Sequence, residues 1–264
     1  MGTCPICSNT THVAFSARAL QKYPFNTVSC PQCGLLQVKN PHWLEEAYND
    51  AIVVCDTGLV ARNRYITQEL SPLFYYLFGS QGTFVDYAGG TGLFVRLMRD
   101  AGFDFYWYDP YCTNVHARGF EMEKGKNYKI LTAFEVIEHI QDPLDFLREA
   151  LRETGAETIF FTTELFSGTP PNPDEWWYYA FDAGQHISFY QNKTLETMAE
   201  QLDMKLLSTG FLHVFCKSTM FNQLQKYYNW YLIRRYSRHK AVRSLQSKTM
   251  SDHRYLLGLT KVPT

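Results

Sequence analysis

The sequence predicts a doubly wound α/β domain, with a small cysteine-rich module before it and a basic helical extension after it. Over residues 81–216, short apolar strands alternate with helical stretches, as is typical of such sheets. Four of the seven cysteines fall within residues 1–40. Residues 217–264 carry a net charge of +9, whereas the rest of the chain carries −10. With residues 41–80 as a helical connector, the chain divides into four parts.

The composition is that of a globular protein that works in a reducing compartment. Of the 264 residues, 45% are hydrophobic and 16% are aromatic. No apolar run is long enough to span a membrane, and the N-terminus has no basic-then-apolar signal segment. We therefore expect a cytoplasmic protein, in which paired cysteines indicate metal or redox chemistry rather than disulfides.

The elements of the central domain follow from its apolar runs. In the connector, Pro72 is expected to kink or end the helix "LVARNRYITQELSPLFYYLF". The predicted strands are "TFVDYA", "FYWYD", the front half of "KILTAFEVIEH", "TIFFTT" and "FLHVFCK", and the predicted helices include Leu93–Ala101, Asp142–Glu153 and Asn192–Leu202.

The first 40 residues contain a metal-site spacing. Cys4, Cys7, Cys30 and Cys33 form the pattern C-x2-C-x22-C-x2-C. Each pair can turn two thiolates toward one ion, and two pairs complete the tetrahedron of a structural zinc site without an open position for catalysis. Redox use of one pair is the alternative.

A glycine-rich turn follows the strand "TFVDYA". Gly89, Gly90 and Gly92 would let the backbone approach a ligand closely at the start of a helix. The next strand ends at Asp109, an acid placed to accept hydrogen bonds from ribose hydroxyls. A dinucleotide and S-adenosylmethionine (SAM) both fit this order. The dinucleotide fingerprint is disfavoured because Val95 stands where it needs glycine or alanine.

Two segments resemble class I SAM-dependent methyltransferases. The stretch from Asp86 to Gly92 is similar to their pattern D-x-G-x-G-x-G, with Ala88 in place of the first glycine. The stretch "ILTAFEVIEHIQDPLDFLREA", residues 130–150, resembles their fourth-strand motif. The resemblance implies that Asp86 and the turn face the methionyl part of SAM and that Asp109 binds the ribose. It implies a cofactor site formed by Asp86, Ala88, Gly89, Gly90, Gly92, Asp109, Phe120, Thr132, Phe134 and Glu135.

The zinc module and the methyltransferase motifs together resemble the C-methyltransferases of nucleotide-linked deoxysugars. In that family a segment of the type Y-x-E-H-L-S-Y-F carries acid–base residues, and the corresponding stretch here is "AGQHISFYQNKTLETMAEQL". His186 matches the histidine of the family, but Gln185 stands in place of its glutamate, and glutamine cannot act as a base. The resemblance therefore supports a sugar-related methyltransferase and weakens transfer to carbon.

Three side chains are candidates for catalysis. A hydroxyl acceptor must lose a proton, so a histidine with a pKa near neutral suits the role of general base. His186, at the end of a polar loop, is the first candidate, His139 is its main competitor, and Glu164 after "TIFFTT" is the third. Local packing is the alternative role for His186, and a solvated helix start is the alternative for His139, Glu135 and Glu138.

For the binding partners, the sequence leaves alternatives open at the aromatic loop and at the basic extension. The aromatic loop 167–184 either stacks on sugars or covers the core. Residues 217–250 interleave aromatic and basic residues, so this helix either packs on the domain or lies on an anionic membrane surface. Nucleic acid is disfavoured because the body is acidic and has no recognised binding motif. The oligomeric state is unknown.

These observations lead to an expected activity, which is O-methylation of a sugar, nucleotide sugar or surface glycan. Three alternatives remain open: a C-methyltransferase of a nucleotide deoxysugar, a nucleic-acid methyltransferase, and a non-catalytic binding module with the same fold.

Overall fold

The computed structural model describes residues 2–49 and 56–260. Parts of three predicted regions lie outside this description: residue 1 of the module, residues 50–55 of the connector and residues 261–264 of the extension. The strands are β1 Gly2–Thr3, β2 Thr10–Ala19, β3 Tyr23–Ser29, β4 Leu36–Val38, β5 Thr83–Tyr87, β6 Asp104–Tyr108, β7 Ile130–Phe134, β8 Thr158–Thr162, β9 Ser188–Phe189, β10 Lys205–Thr209 and β11 Leu212–Cys216. The α-helices are α1 Leu44–Ala47, α2 Leu59–Phe78, α3 Leu93–Asp100, α4 Pro143–Thr154, α5 Asn192–Gln201, α6 Ser218–Asn229, α7 Tyr231–Ser244 and α8 Thr249–Leu256.

The predicted Rossmann-like sheet is confirmed. Six strands lie in the order β10-β11-β8-β7-β5-β6, and β5 pairs in parallel with both β6 and β7. The strands β8 and β11 are buried along their whole length, as expected when helices cover both faces of a sheet. The antiparallel edge strand β10 was not predicted. Next to Phe120, a single parallel bridge joins Trp107 and Glu121.

The cysteine-rich module is built on a second sheet, in the order β1-β2-β3-β4-β9. The sequence analysis did not predict this sheet, because the alternation of apolar residues in β2 is weak and most of that strand is exposed. The short strand β9 comes from far along the chain and pairs with β4 through Leu36 and Phe189. Its core includes Trp43, Tyr178 and Tyr179, all buried.

The chain separates into two compact units. One comprises Met1–Val53, Ala133–Ala150 and Phe160–Lys217, and will be called the module unit. The other comprises Val54–Thr132, Leu151–Ile159 and Ser218–Thr264, and will be called the turn unit. The backbone passes from one unit to the other within β7 and within β8, and the four-part division expected from the sequence stays a prediction.

The core of the turn unit is aromatic. Phe74 of α2 stacks on Phe105 with ring centroids 5.9 Å apart, and Phe84 stacks on the same ring at 5.2 Å. Helix α2 runs without a break through Pro72, so the proline does not end the helix. Helices α6 and α7 pack against α2, where Tyr76 meets Tyr227 and Arg238 binds Glu69. Among the described residues, no helix combines the length and the apolar character needed to cross a bilayer.

Candidate functional site

The carboxylate of Asp109 organises the glycine turn in the turn unit. Its Oδ2 atom accepts a hydrogen bond from the Gly90 N–H at 2.9 Å, and its Oδ1 atom accepts from the N–H groups of Tyr111 and Cys112 at 2.8 and 2.9 Å. The indole N–H of Trp107 donates to the Gly90 carbonyl at 2.9 Å. The residue predicted to bind a ribose therefore also fixes the backbone of the turn.

Two glycines of the turn have different surroundings. Gly92 has a φ of +82° and precedes α3, and a Cβ atom there would lie 2.7 Å from Oδ1 of Asn114. Gly90 has a φ of +54°, but among the described residues nothing would lie within 4 Å of its Cβ atom. Packing thus requires Gly92, and also Gly89, whose Cβ atom would lie 2.7 Å from Oδ2 of Asp86, while the space beside Gly90 allows a ligand to approach the backbone.

Asp86 lies within β5 and is almost completely buried, with 4% of its surface exposed. The Thr132 hydroxyl donates to its Oδ1 atom at 2.6 Å. Burial raises the pKa of Asp86 to about 7, the hydrogen bond from Thr132 opposes this shift, and the charge of Asp109 adds to it. The carboxyl is therefore partly protonated at neutral pH, and a bound cationic group would favour its ionised form.

Backbone strain is found directly after two strands. Ala88 follows β5 with a φ of +61°, and Glu135 follows β7 with a φ of +54°. Such conformations cost on the order of 1–3 kcal/mol in residues other than glycine and cluster at functional sites. Glu135 is fixed by Thr162, whose Oγ1 atom accepts from the Glu135 N–H and donates to its Oε1 atom. Ala88 takes the left-handed conformation that the motif usually gives to glycine.

The two predicted phenylalanines differ in burial. The ring of Phe120 is 2% exposed and lies 3.6 Å from the guanidinium carbon of Arg99. Its carbonyl accepts a hydrogen bond from the Trp107 N–H at 2.8 Å, so Phe120 supports the turn through the backbone. Phe134, the last residue of β7, is only partly buried.

The four predicted zinc ligands come together in the module unit. Their sulfur atoms lie within 4.8 Å of one another, with Cys4 3.6 Å from Cys33 and Cys7 3.4 Å from Cys30. Sulfurs at the corners of a zinc tetrahedron lie about 3.8 Å apart, so the arrangement fits a closed site. The hydrogen bond between the two sulfurs lowers the pKa of the Cys4 thiol and raises that of Cys33, so without a metal only one thiol of this pair ionises readily. The Thr194 hydroxyl donates to the Cys33 carbonyl and ties the cluster to α5.

A second cluster in the module unit joins both predicted histidines to Glu138. The ligand atoms of Glu138, His139 and His186 lie within 4.8 Å of one another, and the two imidazole centroids are 4.8 Å apart. Glu138 and His139 belong to a 3₁₀ turn, Ile137–His139, that follows β7, and Glu138 is fully buried. The solvated helix start considered for Glu138 is therefore wrong, and no local pattern could have shown this burial.

Hydrogen bonds fix both rings of this cluster. The Nδ1 atom of His186 donates to the Tyr178 carbonyl at 2.7 Å. The Nδ1 atom of His139 is 3.2 Å from the Gln185 carbonyl and 2.9 Å from the Tyr48 hydroxyl. Burial lowers the pKa of His139 to about 3, and the nearby His186 lowers it further. His139 is consequently a weak proton acceptor at neutral pH.

The remaining predicted residues take separate positions. Glu164, after β8, is exposed, and the cluster of Glu138, His139 and His186 does not include it. The side chain of Gln185 is buried and donates to the Ala47 carbonyl at 2.7 Å, which is a structural contact. In the aromatic loop, Tyr178 and Tyr179 are buried in the core, whereas Trp177 is 74% exposed.

Comparison with known proteins places the chain in a family. The family model described as "Methyltransferase domain" matches residues 61–209, more than half of the chain. The chain belongs to this family. This methyltransferase-domain protein is a SAM-dependent methyltransferase, which confirms the predicted enzyme class.

Several solved structures are similar to this methyltransferase at low identity. An O-methyltransferase family protein from Burkholderia thailandensis is 12% identical with a TM-score of 0.43, and the match covers 68% of each chain. CalO1, a methyltransferase in calicheamicin biosynthesis, is 12% identical with a TM-score of 0.40 over 56% of this chain and 54% of its own. Magnesium protoporphyrin IX methyltransferase from Synechocystis PCC 6803 is 10% identical with a TM-score of 0.44 over 66% of this chain and 91% of its own. The match thus spans about half the length of CalO1. No curated protein matches it.

Proposed function

We propose that this methyltransferase transfers the methyl group of SAM to a hydroxyl oxygen of a sugar, a nucleotide sugar or a surface glycan. The observation that carries the proposal is the pair of imidazoles of His139 and His186 beside the buried Glu138. An oxygen acceptor has to lose its proton as the methyl group is transferred, and such a cluster can assist that loss. The sugar class rests on the resemblance of the zinc spacing and of the His186 segment.

Within the cluster, His186 is the better candidate for the sequence-based hypothesis of a histidine base. Burial keeps the pKa of His139 too low for this role near neutral pH. Transfer to carbon is the nearest alternative, and the buried contact between Gln185 and Ala47 speaks against it. In the family that methylates carbon, a glutamate would stand at that position.

The cofactor part of the proposal assigns SAM to the turn unit. Asp86, Asp109 and the turn at Gly90 would hold it, with Ala88, Gly89, Gly92 and Thr132 shaping the backbone around them. Phe120, Phe134 and Glu135 stay in this assignment as predictions. Structural zinc at the four cysteines and a cytoplasmic location are proposed in the same way.

Two substitutions test these assignments separately. Asp109→Ala removes a charged acceptor of hydrogen bonds and loosens the turn, so we expect SAM affinity in calorimetry to fall at least about tenfold. His186→Ala should leave SAM affinity unchanged and reduce turnover of a sugar acceptor by at least about 100-fold. The exposed Asp145→Ala is the control for both measurements. Unchanged SAM affinity in Asp109→Ala would refute the ribose assignment, and normal turnover in His186→Ala would refute the role of the cluster.

A lipid-linked acceptor would suit the surface of α7. Tyr231, Leu232, Tyr236 and Val242 are all more than 60% exposed on this helix, which also carries Arg234 and Arg235. Aromatic and aliphatic side chains beside basic ones are typical of helices that lie on anionic membranes. We expect the protein to sediment with vesicles that contain phosphatidylserine and not with neutral ones. Steeply salt-dependent binding to RNA in place of vesicles would favour the nucleic-acid alternative.

A further inference from the structure

The cluster of Glu138, His139 and His186 has the composition of a metal site that is separate from the four cysteines. It offers one carboxylate oxygen and two imidazole nitrogens within 4.8 Å of one another. Ligand atoms that share one zinc ion lie about 3–4 Å apart, so small rotations of these side chains would bring all three onto one cation. Two nitrogens and one oxygen suit zinc and its neighbours in the first transition row better than magnesium.

The hydrogen bonds of the two rings select the tautomer that binds metals. A carbonyl can only accept, so the proton of His186 lies on Nδ1, facing the Tyr178 carbonyl at 2.7 Å. The same argument, applied to the Gln185 carbonyl at 3.2 Å, places the proton of His139 on Nδ1, and the Tyr48 hydroxyl at 2.9 Å then also accepts from it. In both rings the lone pair is then on Nε2. Metal-binding histidines almost always donate their other N–H group in this way.

The backbone holds the two parts of the cluster together. The Ile187 N–H donates to the Glu138 carbonyl at 2.8 Å, next to the two histidines in the chain. The Tyr190 hydroxyl donates to the Ile137 carbonyl at 2.6 Å, and the Ser188 hydroxyl donates to the Ile140 carbonyl at 2.7 Å. These bonds join the 3₁₀ turn to the segment around β9, so the three side chains are positioned by a rigid scaffold, as a metal site requires.

We propose that Glu138, His139 and His186 bind one divalent transition-metal cation and leave a coordination position open for the acceptor. Three protein ligands with an open position are characteristic of catalytic zinc sites, in contrast to the closed site of the four cysteines. This places two metals of different function in one chain.

The role of this cation rests on the proposed function. A hydroxyl oxygen bound at the open position would lose its proton to solvent more readily, because the cation stabilises the alkoxide. In the proposed reaction the acceptor oxygen would form a bond to the methyl carbon of SAM as the carbon–sulfur bond breaks. The electron pair of that bond would remain on sulfur, which would become a neutral thioether. His186 would act in this reaction as a ligand of the cation rather than as the general base.

Cobalt(II) distinguishes the two metal sites by spectroscopy. Full-length protein with zinc in the cysteine site would be titrated with cobalt(II) chloride, and visible absorption and native mass would be recorded. We expect one cobalt per chain, with the d–d bands of nitrogen and oxygen ligands and no thiolate charge-transfer band. Absence of a second metal, or cobalt that enters only the cysteine site, would overturn the proposal.

Two variants test whether the cobalt that gives these absorption bands is bound by Glu138 and His186. Glu138→Gln keeps the shape of the side chain, and His186→Asn is a second, independent change. Since loss of an outer partner alone typically lowers metal affinity 10–100-fold, removal of a ligand should lower the cobalt affinity at least about 100-fold. His239→Ala, on the exposed face of α7, is the matched control and should bind cobalt like the wild type. Wild-type affinity in both cluster variants would show adventitious binding and refute the site.

SAM affinity, measured on the same samples by calorimetry, separates this inference from the proposed function. Binding of SAM without a second metal would overturn the metal site and leave the proposed function with a histidine base. Binding of cobalt at the cluster without SAM would retain the site and refute the cofactor assignment.

Discussion

The pKa of Asp86 is set mainly by the burial of its carboxyl group in β5. In an unfolded chain its pKa is near 4, whereas burial raises the pKa in the folded protein to about 7. Between these values the folded state binds more protons than the unfolded state does. The contribution of Asp86 to stability is therefore greatest below pH 4 and is lost as the pH rises toward and through 7.

We predict that Asp86→Asn reduces this pH dependence in the cofactor-free protein. The difference in Tm between variant and wild type should shift in favour of the variant as the pH rises from about 5 to about 8, by the equivalent of about 1–4 kcal/mol. Thermal unfolding followed by circular dichroism at several pH values measures it. A difference in Tm that stays constant across this range would contradict the raised pKa.

At the scale of the element, the turn between β5 and α3 depends on glycine for two different reasons. A methyl group at Gly92 would lie 2.7 Å from Asn114, while a methyl group at Gly90 would point into open space among the described residues. Both positions have positive φ, so alanine at either one carries a backbone cost of about 1–2 kcal/mol.

We therefore predict that Gly92→Ala is more damaging to the apo protein than Gly90→Ala. The clash with Asn114 adds to the shared backbone cost, so the Tm of Gly92→Ala should be lower than that of its matched partner. If a ligand fills the space beside Gly90, Gly90→Ala should lower the SAM affinity more than Gly92→Ala does. Thermal unfolding and calorimetry of the two variants are the measurements, and equal Tm values would argue against the packing of Gly92.

The cysteine cluster is the second element with a testable role. Cys30 is 2% exposed, and its sulfur lies 3.4 Å from that of Cys7. Because metal binding and local folding are coupled, we predict that Cys30→Ser loses zinc and solubility together. Zinc content by mass spectrometry and the soluble fraction after expression measure both effects. Cys112→Ser, outside the cluster, should keep its zinc, and an active, zinc-free Cys30→Ser protein would contradict the structural role.

At the scale of the whole molecule, the C-terminal segment is attached to the turn unit by a buried ion-pair network. Asp252, the single acidic residue after residue 216, is 1% exposed and binds the fully buried Arg99 through two contacts of 2.8 Å. Arg96 adds a third contact at 2.9 Å, and Asp104 binds Arg99 at 2.8 Å. These ion pairs join α8, in the basic extension, to α3.

Removal of that charge should destabilise the protein strongly. We predict that Asp252→Ala lowers the free energy of unfolding by about 3–5 kcal/mol, because it leaves a buried arginine with incomplete compensation. Urea unfolding followed by tryptophan fluorescence measures this. The control is Asp145→Ala, which breaks an exposed ion pair with Arg148 and should change the free energy of unfolding by less than about 1 kcal/mol. Similar midpoints for the two variants would show that the network does not anchor the segment.

Much of the fold was predictable because its signals are local. Five apolar runs gave strands within one or two residues of β5, β6, β7, β8 and β11, and three periodic segments matched α3, α4 and α5. The sheet of the module and the edge strand β10 were missed, since β2 is mostly exposed and β10 has no buried residue, so neither strand shows a clear alternation of apolar residues. The short strand β9 could not be foreseen, because two residues form a strand only when a distant partner, here β4, supplies the hydrogen bonds.

By itself, the sequence determined the features that depend on neighbouring residues: the cysteine spacing, the glycine turn after Asp86 and the enzyme class. Only the tertiary structure decided which polar side chains are buried and what they meet. It brought Glu138 and His139 to His186, and Asp252 to Arg99. The physical reason is that burial, and with it the pKa and metal affinity of a side chain, is set by groups that are distant in the chain and become neighbours only on folding.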